Sequence, residues 1–119
     1  MAAESENLKI ERDWGYYRVL HEFGKIVKLK ELTVEPKKCL SLQRHQMRLE
    51  HWFVAEGTAT VYTIDDDSDV GMYCHYEQFQ HISIKRNQWH RLSNETETPL
   101  KVIEIQYGDE CIEEDIERK

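Results

Sequence analysis

Turn-forming residues recur along this chain at intervals that leave no room for a long helix. Trp14-Gly15, Phe23-Gly24, Glu35-Pro36, Glu56-Gly57, Asp65 to Asp69, Asn87 and Thr98-Pro99 punctuate it. Between them lie short runs of β-branched and aromatic residues. Thr58-Ala59-Thr60-Val61-Tyr62-Thr63-Ile64 is almost entirely strand-forming, and Ile26 to Val34 alternates with a mixed period of two. Evenly spaced short strands of this kind predict an all-β sandwich or barrel. The exception is the acidic segment from Glu113 to Lys119, which reads as a short C-terminal helical turn. A chain of 119 residues suits one domain. Residues 1–7 read as a flexible N-terminal tail and residues 8–119 as the folded domain.

The apolar share of 39% is enough for a core, and the formal charge of −7 disfavours nucleic acid or an anionic membrane as partner. Met1 to Asn7 lacks a basic region followed by an apolar run, and no stretch approaches the ~20 apolar residues of a membrane span. The expectation is a cytoplasmic protein. Cys39, Cys74 and Cys111 are widely spaced, without a C-x-x-C pair, and read as idle or buried thiols. Asp65 to Asp69 reads as a solvated hairpin tip, because a calcium loop would want Glu where Tyr76 stands. His21, His75 and His81 carry no pattern that marks them as ligands.

Chemistry concentrates in Ser41-Leu42-Gln43-Arg44-His45-Gln46-Met47-Arg48-Leu49-Glu50-His51-Trp52-Phe53. Side chains alternate faces along a strand, so Gln43 and His45 share one. Glu50 lies five residues beyond His45, and an unbroken strand would send it to the opposite face. The chain must therefore turn within Gln46-Met47-Arg48. Beyond that turn Glu50, Trp52 and Val54 share a face, His51 takes the other, and Glu56-Gly57-Thr58 is expected to close a hairpin. An amide oxygen, an imidazole and a carboxylate on one interior surface suit a divalent cation. His90, at the start of a later strand with Asn94 four residues on, supplies a fourth ligand.

Gln43-x-His45-x4-Glu50-x6-Gly57 and His90-x3-Asn94 resemble the two metal-site motifs of the cupins, with Gln in place of the first motif's first His. Trp14-Gly15-x-Tyr17-Arg18-Val19-Leu20, Arg48-x-Glu50-His51-Trp52, His90-Arg91-Leu92-x-Asn94 and Val102-Ile103-Glu104-Ile105-Gln106-x-Gly108 are more particular. They resemble the isomerase domain of type II phosphomannose isomerases, a domain usually fused to mannose-1-phosphate guanylyltransferase. The sequence departs from that family at Met47, at Lys85-Arg86-Asn87 and at Asp13.

The resemblance implies a single-domain cupin, a double-stranded β-helix or jelly-roll barrel. It implies a metal-dependent sugar-phosphate isomerase that interconverts mannose-6-phosphate and fructose-6-phosphate through an enediolate, in GDP-mannose and carbohydrate metabolism. The alternative is a catalytically silent sugar-binding or regulatory cupin that keeps the metal. The implied metal ligands are Gln43, His45, Glu50 and His90; zinc is the first choice of cation, and manganese, cobalt, nickel and iron suit the same donors. Arg91 takes a catalytic role by the same resemblance. His51, Glu104 and Lys28 are candidates for the general base. Arg48, Arg91, Lys85 and Arg86 are candidates for the phosphate, with Trp89 as a ligand-contacting wall. Lys28 shares a strand face with Lys30, and the pair reads first as an exposed charged face and second as phosphate ligands. A homodimer through edge strands is a further expectation.

Overall fold

The computed structural model describes residues 8–65 and 70–119, so the expected N-terminal tail and Asp66 to Asp69 lie outside the described residues. Among the described residues, eleven strands account for the regular structure: Ile10–Arg12 (β1), Gly15–Phe23 (β2), Val27–Val34 (β3), Gln43–Arg44 (β4), Arg48–Glu56 (β5), Ala59–Ile64 (β6), Gly71–Tyr76 (β7), His81–Ile84 (β8), Trp89–Ser93 (β9), Leu100–Gly108 (β10) and Glu117–Arg118 (β11). They form two antiparallel sheets, ordered β1-β2-β3-β10-β5-β8 and β11-β4-β9-β6-β7. The all-β expectation holds.

Two local expectations do not. Glu56-Gly57-Thr58 closes no hairpin, because β5 pairs with β10 and β8 while β6 pairs with β7 and β9. The segment instead carries the chain from one sheet to the other. Gly57 makes the crossing at φ 87°, and a Cβ there would stand 2.7 Å from the Pro99 carbonyl oxygen, so a side chain is excluded both by conformation and by space. The acidic C-terminus forms no helix either. It turns at residues 113–115 and ends as β11, pairing Glu117 with Arg44 and Arg118 with Gln43, with Arg44 Nη2 3.1 Å from Glu117 Oε2.

Strand register divides the interior into two halves. At one end Val34 opposes Leu100, and Leu32, Val102 and Val54 lie side by side across β3, β10 and β5. These pack with Ala59, Val61, Ile84 and Leu92 into the apolar core. Burial of side chains of this size stabilises by roughly 1.5 to 3 kcal/mol each, so this end holds the fold together. Further along the same strands the rows turn polar: Lys30, Glu104 and Trp52, then Lys28, Gln106 and Glu50. All four of the charged side chains in those rows are buried. Lys28 and Lys30 are thus no exposed charged face, since β3 turns that side inward.

Asn94 ties the two sheets at the apolar end. Buried after β9, its amide donates to the carbonyls of Val34 at 2.9 Å and Thr98 at 2.8 Å, and its oxygen accepts from the Thr96 backbone N–H at 3.0 Å.

Candidate metal centre

The chain turns at Gln46 and Met47, between β4 and β5, as parity requires. Asp115 fixes that turn from the C-terminal segment. Its carboxylate accepts the backbone N–H groups of Gln46 at 2.9 Å and Met47 at 2.8 Å, and its carbonyl accepts from His45 Nδ1 at 2.7 Å. No spacing rule marks Asp115, because its partners are about seventy residues away.

His45, Glu50 and His90 converge, each buried, with one candidate ligand atom apiece all within 4.8 Å of one another. His90 Nδ1 lies 2.8 Å from the Gln88 carbonyl. Each imidazole therefore sets its Nδ1 against a backbone carbonyl, which accepts a hydrogen bond there, and turns Nε2 inward. His45 Nε2 is 3.2 Å from Glu50 Oε2, and His90 Nε2 is 3.7 Å from Glu50 Oε1. Two pinned imidazoles and a carboxylate fit a first-row divalent cation. Gln43 lines the same cavity and lies opposite His90 in the ladder, its amide nitrogen near the Ser41 carbonyl at 3.4 Å; the amide oxygen is the atom it would offer.

Burial and the Arg48 guanidinium push His45 down to about 4, so it is neutral at physiological pH. Burial alone would raise the Glu50 carboxyl, but His90 and Arg48 hold it below the ordinary carboxylate range. Glu104 goes the other way, pushed up to about 7 by burial and by the neighbouring charge of Glu50. Trp52 Nε1 bridges the two carboxylates, 3.0 Å from Glu50 Oε1 and 3.2 Å from Glu104 Oε2. Gln106 donates to Glu104 at 2.7 Å, while its own Oε1 has no hydrogen-bond partner among the described residues.

Gln43, Glu50, Trp52, His90, Glu104 and Gln106 line a cavity of about 410 Å³ that also takes in Trp14, Tyr17, Lys30, Arg48 and Glu113, with His45 behind its wall. Arg48 therefore lines the site. Lys28 lies behind it, buried beside Glu113. Arg91, His51 and Trp89 are not at the site. Arg91 and Trp89 flank His90 on β9 and so face outward. Arg91 lies 5.4 Å from the Tyr62 ring centre, and Trp89 packs under Arg44. His51 neighbours Glu50 and faces outward too, 3.0 Å from Ser83 Oγ. Strand alternation accounts for all three placements. Arg86, a phosphate candidate, pairs with Asp109 at the surface at 2.9 Å.

Residues 2–119 match the family described as mannose-6-phosphate isomerase C-terminal. The alginate biosynthesis protein AlgA of Pseudomonas syringae pv. tomato is 39% identical over 116 residues, which is 97% of this chain and 23% of that protein. The mannose-1-phosphate guanylyltransferase of Escherichia coli is 36% identical over 110 residues, 92% of this chain and 22% of that protein. The chain thus spans under a quarter of the length of these curated relatives. Among solved structures, oxalate decarboxylase from Bacillus subtilis superposes with a TM-score of 0.82 at 14% identity, covering 96% of this chain and 30% of that one. The capsular polysaccharide assembling protein CapF from Staphylococcus aureus gives 0.80 at 13% identity, covering 92% and 31%. Likeness at such low identity speaks for the shared cupin fold alone. On the match over residues 2–119 and the relatives near 40% identity, the chain belongs to the mannose-6-phosphate isomerase C-terminal family.

Proposed function

We propose that this domain is a metal-dependent sugar-phosphate isomerase that interconverts mannose-6-phosphate and fructose-6-phosphate. The observation that carries the proposal is the convergence of His45, Glu50 and His90 at the wall of a cavity that also holds Glu104, a buried carboxyl pushed up to about 7. His45, Glu50 and His90, with Gln43 beside them, would hold the cation, zinc first among the choices. When bound it would supply a Lewis acid for the oxygens on which the negative charge of an enediolate develops.

The remaining work falls to the chain's own groups. Glu104 has the affinity for protons that suits moving one between adjacent carbons near pH 7. Trp52 and Gln106 hold it in place through one N–H each, and the unpartnered Gln106 oxygen is available to a sugar hydroxyl. Arg48 keeps Glu50 ionised through two contacts of 3.0 Å to Oε2. Trp14, Leu40 and Leu92 form an apolar wall that limits water at the reacting atoms.

A second reading also has an observation behind it. Arg48 Nη2 lies 3.2 Å from His45 Nε2 as well as contacting Glu50, so its guanidinium can stabilise the cluster in a domain that binds sugar without turning it over. A coupled assay separates the two. Chelator-stripped protein is refilled with single divalent cations and given mannose-6-phosphate. Activity that returns with one cation supports the isomerase, and silence in protein that binds the cation supports the binding domain.

A further inference from the structure

Lys28 and Lys30 sit side by side on the inward face of β3, each with less than about a tenth of its surface exposed. Buried lysines are rare and need a counter-charge. Here both turn to one atom. Glu113 Oε1 lies 3.0 Å from Lys30 Nζ and 3.7 Å from Lys28 Nζ. The Glu113 side chain is itself 60% exposed and belongs to a surface turn rather than to either sheet. The lysines hold its carboxyl below the ordinary range against the opposing effect of burial.

The match is incomplete in contacts. One carboxylate contacts both ammonium groups, while Glu50 is held by Arg48 and Trp52, and Glu104, which stands opposite Lys30 across β3 and β10, hydrogen-bonds Trp52 and Gln106 rather than either lysine. A phosphate dianion would balance the two lysines, and its three oxygens can accept from both. Lys30 and Glu113 line the same cavity as Glu50, His90 and Gln106, so an anion seated there shares a chamber with the cation ligands. The Tyr17 ring, 4.4 Å from Lys30 Nζ, closes the seat on one side.

We propose that Lys28 and Lys30 form the seat for the phosphoryl group of a sugar phosphate, and that Glu113 is an internal occupant that the phosphate displaces. This rests on the isomerase reading for the identity of the sugar, though not for the anion. It makes Glu113 a brake on binding: its exposed side chain swings out of the cavity as ligand enters.

The test is calorimetric titration of the whole chain with mannose-6-phosphate, inorganic phosphate and mannose, read as binding without turnover. Glu113→Gln keeps the shape and removes the competing charge, and is expected to tighten both phosphates about tenfold, the size of one charge-assisted contact, with no change for mannose. Lys30→Gln is expected to weaken both phosphates by a similar factor. An unchanged or weaker phosphate affinity in Glu113→Gln overturns the proposal, as does equal tightening for mannose. Glu113 is exposed, so that variant decides the matter even if Lys30→Gln fails to fold. Tightening in Glu113→Gln by a protein with no isomerase activity upholds the seat and removes the isomerase reading; activity without tightening does the reverse. Mannose-6-phosphate binding more tightly than inorganic phosphate supports a sugar phosphate as the occupant, and the opposite order overturns that part.

Discussion

Arg48 contacts Glu50 twice, with Nε and Nη2 each 3.0 Å from the same oxygen, Oε2. Both residues are buried, and a buried carboxylate without a counter-charge is costly. Arg48→Met should therefore destabilise chelator-treated protein by on the order of 3 to 5 kcal/mol. A bound divalent cation should restore much of that loss. Denaturant titrations with and without cation check this, and equal losses in both would contradict it.

Loss of His90 removes an inward-facing Nε2 and the edge contact to the Trp52 ring, 5.6 Å between centres, and leaves the rest of the apolar core in place. His90→Ala should abolish cation binding and any isomerase activity while leaving the β-domain folded. Metal content after dialysis, alongside far-ultraviolet circular dichroism, reads both. A variant that binds the cation with full stoichiometry would remove His90 from the ligand set.

Protonation sets a pH dependence whose sign can be worked out. His45 falls to about 4 in the fold against about 6.5 unfolded, so its contribution is complete above about pH 6.5 and is lost as pH falls toward 4. Glu104 acts oppositely, since its rise to about 7 makes the fold lose stability as pH climbs from about 4.5 to 7. The two oppose one another in wild-type protein without cation. Glu104→Gln should remove the second and leave a stability that rises clearly between pH 4.5 and 6.5. Urea midpoints across that range measure it, and a flat profile in the variant would mean that His45 is not held neutral.

Asp115 is a positioning residue. Asp115→Ala leaves two backbone N–H groups at the Gln46-Met47 turn without their acceptor, at a cost of roughly 1 to 3 kcal/mol. The variant should also bind cation about 10 to 100 times more weakly, the usual effect of removing an outer support of a ligand. Unchanged cation affinity at reduced stability would show that the clamp serves the fold alone.

Asn94 separates structure from chemistry in the second motif. The four hydrogen bonds of its side chain run to Val34, Thr98 and Thr96, and it does not line the cavity. Asn94→Ala should cost on the order of 2 to 3 kcal/mol and leave the cation affinity of the folded fraction unchanged.

What local alternation could decide was legible in the sequence. Glu50, Trp52 and Val54 do face inward, and the turn before them lies where the odd spacing demanded it. The same rule, applied to His90, places Trp89 and Arg91 outside; motif likeness suggested otherwise. Long-range pairing was not legible. Nothing near Glu56-Gly57-Thr58 distinguishes a hairpin from a crossing between sheets, because that depends on β10 and β9 arriving beside β5 and β6. The C-terminal strand is of the same kind, since its acidic residues suit a helix until Arg44 and the edge of β4 offer a partner. Burial of Lys28 and Lys30 follows from that returning segment, which brings Glu113 across them.

The division of the interior into an apolar end and a polar end also governs how damage to this protein would be seen. Substitutions at Val34, Leu100 or Val102 act on the folding equilibrium, so they should show themselves as low abundance in a cell. Conservative changes at Glu104 or Gln106, such as Glu104→Gln, lie on the same strands but outside the greasy half, and should yield chains that accumulate normally yet lose the proposed activity. A screen for soluble expression would pass over them, and only a measurement of chemistry would find them.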